Sequence, residues 1–167
     1  MVDVRRTFLE LTSPDQLRAA PNTDPRVSFV RRPRISVAEY RCLYREVGEH
    51  WRWLDRNLWS DEQLAAHLAR HDVHVFEAVF DGESAGYFEL AAHDGEPSVE
   101  IAYFGLKRAF IGRGLGKAML THAVREAWAL RPKRVWLHTC TLDSPHALPN
   151  YVARGFRAYN EERYTAG

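Results

Sequence analysis

The stretch Ile111-Gly112-Arg113-Gly114-Leu115-Gly116-Lys117 lies between a strand-like run, Ser98–Leu106, and a helix-like run over 113–130. Glycine lets a chain turn sharply and lets its backbone come close to a ligand. The free N–H groups at a helix start point outward and favour an anion. Arg113 and Lys117 add positive charge to the same turn. The segment therefore reads as a site for a phosphate or pyrophosphate, or else as a loop that simply packs closely. Two familiar phosphate motifs do not fit. A P-loop needs G-x-x-x-x-G-K-[ST], and here Ile111 takes the first glycine position and Ala118 the hydroxyl position. A dinucleotide fingerprint needs G-x-G-x-x-G, whereas Gly112, Gly114 and Gly116 simply alternate.

Upstream of the turn, Val73–Phe80 is rich in β-branched and aromatic residues. Asp81-Gly82 is a hairpin dipeptide, and 85–90 follows as a second strand. A loop over 93–97 leads into Ser98–Leu106, which completes an antiparallel meander. Downstream, Leu115, Met119, Ala123, Ala127 and Leu130 recur at helical spacing until Pro132. The run 134–139, with Val135, Trp136 and Leu137, reads as a strand. Strand, helix and strand in succession predict a parallel pair with a right-handed crossover. A short helix over 144–154, kinked or delayed by Pro149 and stopped by Gly155, precedes a last strand over 156–164.

The first half reads as mainly helical, with strands at 4–11 and Val27–Arg31. Ser13-Pro14-Asp15-Gln16 looks like a helix start. Capping boxes open at Ser36 and Ser60. Ile35 and Tyr40 are spaced to staple the first helix, which runs to about Val47, ahead of Gly48. The second helix should present Leu64, Ala65 and Leu68 on one face.

With 167 residues, 46% hydrophobic and 27% charged, the chain fits one ordinary globular domain over 1–167. Lys plus Arg total 23 and Asp plus Glu 22, so no basic excess points to nucleic acid. No apolar run is long enough for a membrane span, and no secretory signal opens the chain. Cys42 and Cys140 lie far apart, outside any C-x-x-C spacing. They read as reduced thiols of a cytoplasmic protein, with Cys140 buried at a strand end.

Three segments carry a resemblance: Glu100-Ile101-Ala102-Tyr103-Phe104-Gly105-Leu106, the glycine turn, and Tyr151-Val152-Ala153-Arg154-Gly155-Phe156. Together they resemble the GNAT superfamily of acyl-CoA-dependent N-acetyltransferases, over roughly 73–164. The first half matches only in its order of elements. In the family's Q/R-x-x-G-x-G/A motif, Gly114 and Gly116 match and Ile111 replaces the usual Gln or Arg. The resemblance implies an α/β (α+β) fold. Its sheet is mixed, mostly antiparallel and twisted, with six to seven strands flanked by helices. The family's fourth strand, matched by Ser98–Leu106, splays from its fifth, matched by 134–139. The resemblance further implies acetyl-CoA as co-substrate. Its pyrophosphate would rest on the amides of Gly112, Arg113, Gly114, Leu115, Gly116 and Lys117, beside Ile111. Its pantetheine arm would bond to the backbone of Phe104, Gly105 and Leu106. Gly105 suits a bulge or a close backbone approach. Ser144 stands where the family often has a cofactor-contacting Asn, or it simply caps the helix.

The family's chemistry is direct attack of a neutral amine on the thioester within a ternary complex. Tyr151 matches the family's general acid, and a phenol stays protonated at pH 7. Glu100 is the candidate base, with Glu89, His138 or a water chain as alternatives. A non-catalytic acyl-CoA sensor on the same fold is the rival reading. The implied acceptor is a small-molecule or peptide amine, with no nucleic acid and no membrane, and a homodimer left open. His67, His71 and His74 read as surface histidines with no metal. Trp51, Trp53 and Trp59 line an acceptor pocket or pack the core. Arg31-Arg32-Pro33-Arg34 reads as a solvated loop.

Overall fold

Asp81 and Gly82 take φ angles of 50° and 81°, the doubly left-handed turn that suits the right-handed twist of a hairpin. They join β3 (Val73–Phe80) to β4 (Glu83–His93), and β5 (Ser98–Leu106) completes the meander. The computed structural model describes residues 1–93 and 95–167; of the loop read over 93–97, Asp94 lies outside the described residues. The remaining elements are β1 (Val2–Leu11), β2 (Val27–Arg31), α1 (Val37–Gly48), α2 (Asp61–Leu68), α3 (Leu115–Ala129), β6 (Arg134–Cys140), α4 (Ala147–Ala153) and β7 (Arg157–Ala166). The fold is mixed α/β, with a seven-stranded sheet in the order β2-β3-β4-β5-β6-β1-β7. Every neighbouring pair is antiparallel except β5 with β6.

The strands at the centre of the meander are apolar on both faces because helices cover both. Phe76, Phe88 and Leu90 pack with Met119, Leu120 and Val124 of α3. Val75 and Tyr87, one residue out of phase, pack with Tyr40, Tyr44 and Leu64 of α1 and α2. Both capping boxes form. Ser36 Oγ accepts from Glu39 N at 3.1 Å and Glu39 answers to Ser36 N at 2.9 Å. Ser60 and Gln63 repeat that reciprocal pair. Ile35 and Tyr40 are buried in one cluster, as the staple requires.

Some readings need correction. Ser13 caps only a single 3-10 turn, Pro14–Gln16, because the Gln16 side chain accepts from Thr12 N at 2.7 Å and Leu17 leaves in an extended conformation. Ala65 is exposed; the inward face of α2 is Leu64, His67 and Leu68. The helix read over 144–154 begins only at Ala147, the delayed start expected from Pro149; Pro149 sits in the first turn, where no N–H is needed, and does not break it. Arg32 is not simply solvated: it clamps Glu77 at 2.6 Å and Glu39 at 2.9 Å.

β5 and β6 pair only from Ser98↔Arg134 to Glu100↔Trp136, and then part. On the other side of β5 the register with β4 shifts between Glu89 and Leu90, so the bulge falls at Ala102 and not at Gly105. Gly105 serves a close approach instead. A Cβ there would meet Val47 Cγ1 at 2.5 Å, and Trp53 lies just behind.

Candidate functional site

A cleft of about 760 Å³ opens where β5 and β6 diverge. It is lined by the second half of β5, the end of β6, the glycine turn, the start of α4 and the segment between α1 and α2. Arg6 of β1 and Tyr164 of β7 complete the lining.

Gly112 and Gly114 take left-handed φ angles of 84° and 78°, a conformation that costs an L side chain about 1–2 kcal/mol. Gly114 is the N-cap of α3 and has no side chain to close the helix end. Among the described residues, nothing accepts a hydrogen bond from the main-chain N–H groups of 112–117. Ile111, Gly112, Gly114, Gly116 and Lys117 line the cleft. Arg113 and Leu115 do not. The Arg113 guanidinium lies over the rings of Phe110 and Phe80, at 5.2 and 5.6 Å, and Leu115 is part of the core. The positive charge facing the cleft is therefore Lys117 alone of the two. Asn150 Nδ2 donates to Gly116 O at 3.2 Å and ties α4 to the turn. Sequence reasoning missed Asn150; its only signal was a polar residue next to Tyr151 in an otherwise apolar short helix.

Phe104, Gly105 and Leu106 line the cleft along β5, and Ser144 lines it ahead of α4. Ser144 Oγ accepts from His146 N at 3.3 Å, so it braces the turn before the helix. Tyr151 is 6% exposed, faces the cleft, and packs against the rings of Phe104 and Phe156. Burial, reinforced by the Asp143 charge, pushes its phenol well above the ordinary value, so the hydroxyl keeps its proton.

Glu100 also lines the cleft and lies between two imidazoles: His93 Nε2 at 3.2 Å and His138 Nε2 at 3.9 Å. Burial pushes the His138 imidazole below its usual value, partly offset by Glu100, which keeps the ring neutral near pH 7. Glu89 is placed differently. It is fully buried on the α1/α2 side of β4, where it accepts from Tyr40 Oη at 2.5 Å and Arg56 Nη2 at 2.8 Å, and contacts His67 Nε2 at 2.9 Å. It does not line the cleft, and it holds the cleft-lining Arg56 in place. His67 is correspondingly no surface histidine; its side chain is 15% exposed.

Cys140 faces the cleft, because strand alternation sends Thr139 into the core and its neighbour outward. Asp143 fixes the turn after β6 by accepting from Thr139 Oγ1 at 2.6 Å and Cys140 N at 2.9 Å. Trp51, Trp53 and Trp59 all line the cleft, and Trp53 and Trp59 also pack on the α1/α2 core, so cleft lining and core packing coincide in those two. Arg56 stacks on Trp59 and Tyr103, with its charge at 4.0 and 5.0 Å from the ring centres. Among the described residues, no group of His, Cys, Asp or Glu is arranged to hold a metal, and no helix is long and apolar enough to cross a membrane.

A family model described as the acetyltransferase (GNAT) family matches residues 37–156. No curated protein matches the chain. Among solved structures, the chain is similar to a GCN5-related N-acetyltransferase from Kribbella flavida, with 18% identity, a TM-score of 0.65, and coverage of 92% of this chain and 54% of that one. It is similar to an aminoglycoside acetyltransferase from an uncultured soil metagenomic sample, with 16% identity, a TM-score of 0.63, and coverage of 80% and 90%. A tandem GNAT protein from the clavulanic acid biosynthesis pathway matches with 20% identity, a TM-score of 0.62, and coverage of 95% and 51%. The chain spans about half the length of the first and third of these. At such identities the likeness is one of fold.

Proposed function

Because the chain belongs to the acetyltransferase (GNAT) family, we propose that it is one catalytic unit over 1–167 that moves an acetyl group from acetyl-CoA to a primary amine. The observation that carries this reading is the run of unpartnered main-chain N–H groups at 112–117, opening onto a cleft between two diverging strands. Such a run suits the diphosphate of coenzyme A, with Lys117 adding charge and the β5 backbone from Phe104 to Leu106 flanking the pantetheine arm. Ile111 in place of a longer polar side chain leaves that grip to the backbone.

When bound, acetyl-CoA supplies the reactive thioester. Tyr151 is positioned as the donor to the departing sulfur: its phenol faces the cleft and holds its proton at every physiological pH. Glu100 is the group that takes the proton of the attacking amine. The neutral His138 beside it is a second acceptor, and His93 leads the proton toward solvent.

Two measurements test the reading. A thermal shift titration should show stabilisation by acetyl-CoA and CoA. At 100 times the dissociation constant the gain is about 2.7 kcal/mol. Stabilisation by ATP with none from acetyl-CoA overturns the assignment. Tyr151→Phe should lower kcat by about tenfold or more while leaving acetyl-CoA affinity within about twofold. Tight CoA binding with no turnover of any amine, and indifference to Tyr151→Phe, would instead favour a non-catalytic acyl-CoA sensor.

A further inference from the structure

The single 3-10 turn Glu49–Trp51 that continues α1 ends in an unusual way. Trp53 N donates to Gly48 O at 3.1 Å, and Arg52 just before it is left-handed, with φ 55° and ψ 44°. This pairing is the helix ending that glycine ordinarily supplies, because an L side chain is disfavoured there. The chain has put an arginine in that place. Its side chain is exposed, lines the cleft, and has no hydrogen bond, ion pair or ring contact among the described residues. Arg131, just past α3, is left-handed as well (φ 59°) but lies outside the cleft; what sets Arg52 apart is an unpaired guanidinium at the cleft itself.

Apart from Lys117, which the proposed function gives to the donor's diphosphate, the other charges of the cleft are committed. Arg56 is bound to Glu89 and Arg6 to Glu162. Asp143 holds the turn after β6, and Glu100 is paired with His93. Asp55, three positions after Arg52, is the other cleft-lining charge of this segment with no hydrogen bond or ion pair among the described residues; its charge acts on the nearby Tyr44, Tyr103 and His138. The segment thus offers one unspent cation and one unspent anion among Trp51, Trp53 and Trp59. A polycationic acceptor would meet three arginines with Asp55 alone in reserve. An acceptor with an apolar body, an amine and a carboxylate matches both unspent charges, since guanidinium grips a carboxylate through two parallel hydrogen bonds.

We propose that Arg52 is the specificity-determining residue that selects a carboxylate-bearing amine, of the kind a hydrophobic amino acid presents, as the acetyl acceptor. The proposal rests on the acetyl-transfer reading above. In it the carboxylate binds Arg52, Asp55 draws in the ammonium, and the tryptophans cover the apolar body.

The test uses the whole chain and two matched probes, L-phenylalanine and phenethylamine, which share ring and amine but differ in the carboxylate. Thiol release with acetyl-CoA should favour phenylalanine by about tenfold or more in kcat/KM. Arg52→Gly should remove that preference through the KM for phenylalanine, leave the KM for acetyl-CoA unchanged, and keep or raise the thermal midpoint. Arg52→Lys should restore part of the preference. Equal use of the two probes overturns the proposal. So does a rise in acetyl-CoA KM in Arg52→Gly, which would assign the guanidinium to the donor. Quenching of tryptophan fluorescence by each probe reads the carboxylate contact without turnover. A protein that does not bind acetyl-CoA therefore sinks the transfer reading, while the quench still decides this one: no stronger binding of phenylalanine than of phenethylamine overturns it.

Discussion

Glu89 shows what a single side chain costs and what it does here. Burial alone would raise its carboxyl, but His67, the Arg56 charge and the Tyr40 hydroxyl outweigh burial and hold it below the ordinary value. Removing one member of a buried charge set leaves the other uncompensated. Glu89→Gln should therefore lower the unfolding free energy at neutral pH by about 3 kcal/mol, measured by urea denaturation. Because the folded carboxyl titrates below its unfolded value, its contribution is present above roughly pH 4 and is lost as pH falls through the folded value. The wild type should lose stability across that acidic range more steeply than Glu89→Gln. None of this was legible in the sequence. Glutamate in a strand reads equally as exposed or buried, and its partners Tyr40, Arg56 and His67 lie 49, 33 and 22 positions away. Tyr151 and Glu100 were legible as candidates because each stands in a local pattern, and both do face the cleft.

The elements fall into those written locally and those that are not. The capping boxes at Ser36 and Ser60 and the Asp81-Gly82 hairpin depend on residues three positions apart or fewer, and they form where read. The glycine turn is local too, but its side-chain directions are not. Helix α3 begins only at Leu115, so Arg113 belongs to the turn and swings onto Phe80 and Phe110. Gly114→Ala tests the turn as a unit. A Cβ meets nothing closer than Lys117 Cε at 3.9 Å, so the penalty is conformational. The variant should lose about 1–2 kcal/mol of stability, and its acetyl-CoA dissociation constant should rise by about tenfold as the amides are re-aimed. Calorimetric titration beside thermal unfolding reads both.

At the scale of the molecule, the mixed sheet between two helical layers was expected, and the place of its first strand was not. β1 lies between β6 and β7, joined to both by antiparallel pairing. Apolar alternation marks a strand but does not say which partners it takes. Leu9 and Leu11 of β1 are fully buried in the α3-side core. Leu9→Ala should cost about 3 kcal/mol in urea unfolding, as a core truncation does, although it lies next to the start of the chain.

That insertion also bears on how the binding site comes into being. Arg6 and Tyr164 both line the cleft and lie 158 positions apart. The turn, β5 and α3 are built from neighbours in sequence, whereas this last side waits for the longest closure in the chain. A partly refolded molecule with only the local units in place should therefore own the glycine turn and lack the Arg6 and Tyr164 side of the cleft, so a complete pocket is expected only once β1 and β7 have paired.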